Sequence, residues 1–224
     1  MNKQRRFLSA KELYRGWAEK YDEDPNLAIF LEEKITKYWL NVKGKEILDY
    51  GCGTGRYILK LAKNNSITAV DFSKEMLDIA KNKVKERGIN AEFVLKDISK
   101  FKPNKKYDLI ISMLVLDHLN NLRKVIEIMD SASKKGTDVI ISNVPAYQVH
   151  RRILYEKANN PKAKINQFFH PLEEYLLLFR EKGFELIDYK ELVFEEKYKK
   201  MERFKEVNGS INEPYVVLMR FKKK

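Results

Sequence analysis

From residue 46 onward the chain alternates between two hydrophobic patterns. Short continuous apolar runs are followed by segments in which apolar residues recur every three or four positions. Residues 46–50, 67–71, 91–95, 107–113 and 137–142 read as strands. Residues 56–63 and 74–87 read as helices, as does the series Leu122, Val125, Ile126, Met129. On residues 74–87 the apolar face is Met76, Leu77, Ala80 and Val84. Gly44, Gly88, Gly136 and Gly183 each stand where a helix-like segment gives way to a strand-like one, the place of a left-handed helix cap. Strands alternating with helices predict repeated βαβ units, and runs such as Leu109-Ile110-Ile111 predict strands covered on both faces. The expected fold class is therefore α/β, a mostly parallel sheet with helices on either side.

The two ends of the chain depart from this rhythm. Residues 9–40 are aromatic-rich and read as helical. They precede the first strand, so they must pack outside the sheet or cover a site. Residues 144–170 carry no strand pattern. Pro171 then opens a helix whose apolar face is Leu172, Tyr175, Leu176 and Phe179. Residues 184–194 and 214–221 read as two late strands with a turn signal, Asn208-Gly209, between them, which predicts an antiparallel addition at the sheet edge. We divide the chain into an N-terminal helical lid, 1–40, and a core, 41–224, with an inserted cap segment at 145–170.

The segment Asp49-Tyr50-Gly51-Cys52-Gly53-Thr54-Gly55 holds three of the nine glycines. It follows a strand and opens a helix. Glycine permits positive φ and close approach of backbone to a ligand, and the following helix start offers free N–H groups. An ordinary strand-to-helix turn needs only one glycine. The sixth position is Arg56, so this is not the dinucleotide fingerprint, and no Gly-Lys-Ser/Thr follows, so it is not a P-loop. Asp71 ends the second strand, 71 − 49 = 22 residues after Asp49. An acid there is placed to grip a ribose hydroxyl pair. Asp97 ends the third strand. Three carboxylates at adjacent strand ends predict an acidic crevice suited to a cationic ligand with a ribose.

With these residues in view, the sequence resembles the class I S-adenosylmethionine-dependent methyltransferases. It is similar in particular to the small-molecule branch that includes the quinone and biotin-pathway enzymes. The resemblance rests on EILDYGCGTG (46–55), AVDFSKEML (69–77), KDI (96–98) and YDLIISMLVLDHL (107–119), in family order over about half the chain. It implies a Rossmann-like three-layer sandwich with a seven-stranded sheet of order 3-2-1-4-5-7-6, the last strand antiparallel. It implies S-adenosylmethionine as cofactor and S-adenosylhomocysteine as product. By the same resemblance Asp49, Gly51, Cys52, Gly53 and Gly55 shape the methionine pocket and Asp71 takes the ribose. Phe72 and Met76 pack on adenine, where plain core packing is the competing role. Asp97 and the Ile98 amide read the adenine edge, and Ser112 and Met113 border the sulfonium. Tyr14 and Tyr21 close over the cofactor or form a helix packing stripe.

The activity so implied is methyl transfer to an oxygen, nitrogen or carbon of a small organic substrate. Two alternatives stand beside it: an RNA or protein methyltransferase, and a non-catalytic cofactor-binding regulator on the same fold. The amino-methylation motif Asn/Asp-Pro-Pro-aromatic is absent after the fourth strand, where Ser112-Met113-Leu114-Val115 stands. Asn143-Val144-Pro145-Ala146-Tyr147 resembles it only faintly and follows the fifth strand instead. His118 is the candidate catalytic base or, alternatively, a polar cap of the next helix. Tyr147, His150, Arg151 and Arg152 form either an anion-binding patch or a solvated loop.

Composition narrows the picture further. Hydrophobic residues make up 44% and charged residues 34%, which excludes a disordered chain. No apolar run approaches the roughly 18–20 residues that span a bilayer, and the basic start lacks a signal-peptide core, so we expect a cytoplasmic protein without a membrane partner. One cysteine excludes an internal disulfide, a cysteine-based zinc cluster and an iron–sulfur motif, and no metal site is expected. The net charge of +12 points either to an anionic partner or to Lys/Glu enrichment of the kind seen at high temperature. The lysines are dispersed among glutamates, so no specific nucleic-acid partner is expected. The oligomeric state is left open.

Overall fold

The computed structural model describes residues 18–23, 26–150, 167–205, 207 and 211–224. Its seven strands are β1 (Glu46–Tyr50), β2 (Ser66–Asp71), β3 (Glu92–Leu95), β4 (Tyr107–Met113), β5 (Ser133–Asn143), β6 (Phe184–Val193) and β7 (Pro214–Lys223). They form one sheet of order β3-β2-β1-β4-β5-β7-β6. The first five strands are parallel, and β7 runs antiparallel to both β5 and β6. The order is the expected one. In the register, Asp49 pairs with Ala69 and with Ile111, and Asp71 pairs with Leu95. The carboxyl ends of β3, β2, β1 and β4 thus finish side by side.

Strand side chains alternate between the two faces of a pleated sheet, and here both faces are apolar. Ile47, Ala69, Leu109, Ile111 and Ile140 point to one layer, with α2 (Arg56–Leu61) and α3 (Lys74–Glu86) packed on it. Leu48, Val70, Ile110, Val139 and Ile141 point to the other, under α4 (Leu122–Ser131) and α5 (Leu172–Glu181). The helix starts follow local chemistry. Ser73 and Asn121 cap α3 and α4, their side-chain oxygens accepting from the amides of Met76 and Lys124. Pro171 precedes α5, whose Tyr175 and Phe179 are buried and whose Leu172 and Leu176 pack at the core's edge. Phe179 stacks on Phe221 of β7 with ring centroids 4.1 Å apart.

Two sequence expectations are adjusted. Gly136 is not a helix cap. The helix α4 ends at Ala132 and β5 begins at once, with Gly136 (φ +87°) inside the strand. The pairing of β4 with β5 shifts register just there, and Thr137 steadies the irregularity by donating to the Tyr107 carbonyl at 2.6 Å. The N-terminal region is not one helix among its described residues. A 3-10 turn at Ala18–Lys20 leads through a turn to α1 (Leu27–Trp39), which Asn26 caps. This helix packs Leu27, Ala28 and Leu31 against Val216 and Leu218 of β7 and against Phe194, Tyr198 and Phe204. The Asn208-Gly209 turn signal lies outside the described residues.

Helix α1 also carries a buried charge. Glu32 is fully enclosed. It pairs with Arg56, accepts from the Tyr57 hydroxyl at 3.0 Å, and accepts from Ser142 Oγ at the end of β5. One carboxylate therefore joins α1, α2 and the sheet. Removing one partner of a buried pair leaves the other charge uncompensated, which typically costs 3–5 kcal/mol. We expect Glu32→Ala to lower unfolding free energy by about 3 kcal/mol or more in denaturant titration. Lys74→Ala, which removes an exposed pair with Asp78, should leave the midpoint where it is. Equal, small effects would show that Glu32 does not tie the layers together.

Candidate functional site

The order of the sheet reverses at β1, whose chain neighbour β2 lies on one side and β4 on the other. Ligands bind in open α/β sheets at such a point, beyond the carboxyl ends of the strands. A cavity of about 660 Å³ lies there. That is within the usual range for a small-molecule site.

The glycine loop forms one wall, and at Gly51 and Gly55 it is packed too closely for a larger residue. A Cβ on Gly51 (φ +90°) would lie 2.7 Å from both methyl carbons of Val115, and one on Gly55 (φ +81°) would lie 3.0 Å from Ala80 Cβ of α3. Loop and sheet are sewn together by the Gly51 and Cys52 amides, which donate to the Val70 carbonyl at 2.8 and 3.1 Å. Asp71, at the end of β2, takes the Gly53 amide on Oδ2 and the Ser73 amide on Oδ1, each at 2.9 Å. These bonds oppose the desolvation of Asp71, but burial prevails and its pKa is raised.

Of the residues singled out from the sequence, Tyr21, Gly51, Gly53, Asp71, Phe72, Met76, Asp97, Ile98, Met113 and His118 all line this cavity. Asp49, Cys52, Gly55 and Ser112 do not line it. Cys52 is buried and its thiol pKa is raised, chiefly by burial and further by Asp49 and Asp71. Ser112 Oγ donates to the Tyr50 carbonyl at 2.9 Å, under the sheet's end. Tyr14 lies outside the described residues.

Asp49 is the most perturbed of these groups. It is buried at the end of β1, and Oδ2 has no hydrogen-bond partner among the described residues. Burial, with a smaller push from the Asp71 charge and against the pull of Arg56, raises its pKa to about 7. A buried acceptor left open beside a ligand cavity fits a cationic group on that ligand. The crevice is not uniformly acidic, however. Lys96 and Lys100 line it beside Asp97, and Asp97 is exposed, its Oδ1 accepting from the amide and hydroxyl of Ser99. The third strand end carries its acid on a solvated 3-10 turn, and the two lysines flank that turn.

Part of the remaining wall, Leu114, Val115 and Leu119, was not singled out from the sequence. Leu114 follows β4 with φ +60°, an uncommon conformation for a branched residue, held by hydrogen bonds from its amide to the carbonyl and hydroxyl of Ser142. This twist turns the chain into a 3-10 turn, Leu116–His118. His118 does not cap α4, since Asn121 does. From the N-terminal segment Tyr21 reaches the cavity, and Asp22 anchors that segment by accepting from Thr54 Oγ1 at 2.8 Å and pairing with Lys83. The described parts of the 145–170 segment line a second cavity instead, between α5 and the ends of β5, β6 and β7. Arg151 and Arg152 lie outside the described residues. No helix among the described residues is long and apolar enough to cross a membrane, and no cluster of metal-ligating side chains occurs among them.

Comparison with known proteins bears on this site. Residues 41–205 match a family described as a methyltransferase domain. A ubiquinone biosynthesis O-methyltransferase of Rickettsia canadensis (strain McKiel) is 31% identical over 116 residues, 51% of this chain and 49% of that protein. A malonyl-(acyl-carrier protein) O-methyltransferase 2 of Ilyobacter polytropus is 31% identical over 166 residues, 70% of this chain and 62% of that protein. The match spans about half the length of the first of these relatives. Magnesium protoporphyrin IX methyltransferase from Synechocystis PCC 6803, solved with S-adenosylhomocysteine, superposes with a TM-score of 0.71 at 16% identity, covering 96% of this chain and 95% of that one. An S-adenosylmethionine-dependent methyltransferase from Mesorhizobium loti gives 0.68 at 17% identity, covering 86% and 98%. At such identities the structures establish the fold alone, while the family match extends over most of the chain. The chain belongs to the class I S-adenosylmethionine-dependent methyltransferases.

Proposed function

We propose that the crevice at the ends of β1 to β4 binds S-adenosylmethionine and that the chain transfers its methyl group to a small organic molecule. The observation that carries this reading is the pair of buried carboxylates at adjacent strand ends, Asp71 on the cavity wall and Asp49 with an open acceptor behind the glycine loop. The cofactor, when bound, supplies an activated methyl group on a sulfonium. The protein's share is to bind, orient and exclude water.

Each wall has a part in that. Asp71 has lone pairs left after serving two amides and takes the ribose hydroxyls. Phe72, Met76 and Ile98 enclose the adenine, with Asp97 at its polar edge. Gly51 and Gly53 let the backbone approach the methionine part, and Asp49 balances its ammonium charge. Met113 borders the reacting carbon. Tyr21 shields it from the N-terminal side. His118, on the wall beyond β4, accepts the proton that an oxygen or nitrogen nucleophile gives up. His118→Gln should lower turnover about 100-fold, measured as methylated product per enzyme. An unchanged rate would remove His118 from the mechanism.

Asp71→Ala removes two charge-assisted hydroxyl contacts, each about 1.5–3 kcal/mol. Titration calorimetry with S-adenosylhomocysteine should show binding to the native chain and a loss of about 100-fold or more in the variant. Unchanged affinity would refute the ribose assignment.

Asp49 makes binding depend on pH. The free protein holds this carboxyl protonated up to about pH 7. An approaching ammonium favours the carboxylate, so binding expels a proton, and affinity should rise as pH increases through that value. Calorimetry just below pH 7 in two buffers of different ionisation enthalpy should show proton release, absent in Asp49→Asn. The linkage also acts on stability. The unfolded carboxyl titrates near pH 4, so the native state holds the extra proton between about 4 and 7. Across that window the contribution of Asp49 to the stability of the free protein falls as pH rises.

A further inference from the structure

The second cavity, of about 260 Å³, sits between the start of α5 and the ends of β5, β6 and β7. It shares the turn Leu116–His118 with the cofactor crevice. Asp117 lines one side and His118 the other. We propose that this second cavity binds an arylalkyl amine, an aromatic ring carrying an aliphatic amino group, as its ammonium cation, held by Asp117. The proposal rests on the methyltransferase reading in that such a molecule would be the acceptor, or part of it, and it names the acceptor's chemical class.

Three observations lead there. Asp117 is 4% exposed, and its carboxylate is only half used. Oδ2 accepts from Gln167 Nε2 at 2.7 Å, while Oδ1 has no partner among the described residues. Asn143, at the end of β5, repeats this: Nδ2 donates to the Tyr175 hydroxyl at 2.9 Å and Oδ1 is left open. Two buried acceptors facing one cavity call for a ligand rich in N–H donors.

The second observation is charge. In a protein of net charge +12, the described lining holds Asp117, Glu173 and Glu191 and neither Lys nor Arg. His170 also lines it, with both ring nitrogens engaged, by Glu174 at 2.9 Å and by the Leu119 carbonyl at 2.7 Å. Glu191 is engaged by the Tyr189 hydroxyl at 2.6 Å. A carboxylate or phosphate in this cavity would meet like charge, whereas a cation would meet its complement. The third observation is the walls. Tyr147, Phe168, Phe169, Tyr175 and Tyr189 line the cavity, and aromatic faces attract ammonium groups while excluding water from a ring.

The test is a matched series titrated calorimetrically into the full chain, with and without saturating S-adenosylhomocysteine. The probes are 2-phenylethylamine, 2-phenylethanol and 3-phenylpropionate. The amine should bind at least about tenfold more tightly than the alcohol, and the acid least of all. In Asp117→Asn, which keeps the shape and the bond to Gln167 but loses the charge, amine and alcohol should become alike. Equal affinity for amine and alcohol in the native chain, stronger binding of the acid, or a preference unchanged in Asp117→Asn would overturn the proposal. The native-chain series needs no variant, so a folding defect in Asp117→Asn does not blunt it. S-adenosylhomocysteine binding is read in the same instrument. Its absence would strike the methyltransferase site, while intact binding without amine preference would strike this proposal alone.

Discussion

The carboxylate of Asp71 accepts the amide of Gly53 across the gap between β2 and the loop after β1. Much of the site depends on this bond. It fixes the glycine loop over the end of β1, it ties that loop to the cap of α3 through Ser73, and it holds a charge at the mouth of the crevice. The loop accepts this fixing only because Gly51 and Gly55 carry no Cβ. Val115 and Ala80 occupy the space where one would go. Binding groups and packing are thus one arrangement: the same close approach that builds the fold leaves backbone amides and a carboxylate facing a cavity.

A second buried carboxylate does the corresponding work for the outer layer. Glu32 holds α1 to Arg56 and Tyr57 of α2 and to Ser142 at the end of β5. Ser142 in turn takes the amide of Leu114, whose positive φ sets the direction of the chain after β4. The placement of the N-terminal segment and the bend between the two cavities therefore share one polar node. Buried charge of this kind costs desolvation and is stable only when fully partnered. Asp49 and Asp117, by contrast, each keep one oxygen open among the described residues. The partnered carboxylates organise the chain, while of the open ones Asp117 lines the second cavity and Asp49 lies behind the glycine loop that walls the first.

Much of the fold was legible in the sequence, for local reasons. Runs such as Leu109-Ile110-Ile111 suit only a strand covered on both faces. The spacing of Met76, Leu77, Ala80 and Val84 specifies α3 within a few residues. Three glycines with an acid before them specify a close approach of backbone, and a second acid 71 − 49 = 22 residues later specifies the adjacent strand end. These signals involve neighbours in sequence, so pattern and spacing contain them. Gly136 shows the limit. A glycine between a helix and a strand looks the same whether it caps the one or kinks the other, and only the pairing of Tyr107 with Ser133 decides for the strand.

Tertiary structure alone decided what depends on partners distant along the chain. Nothing near Glu32 in the sequence announces that Arg56 and Ser142 close around it. Leu114 stands just past the fourth strand with nothing in its own sequence to give it a left-handed backbone, which the capture of its amide by Ser142 holds. Asp117 and His118 are consecutive in sequence, yet the 3-10 turn sends one to each of two cavities. The acids that line the second cavity come from a turn, a helix and a strand far apart in the chain, and no spacing rule gathers them. Periodicity records how a segment meets a core, because burial is set by its own neighbours. It does not record which remote charge it will meet, because that is set by how the layers pack.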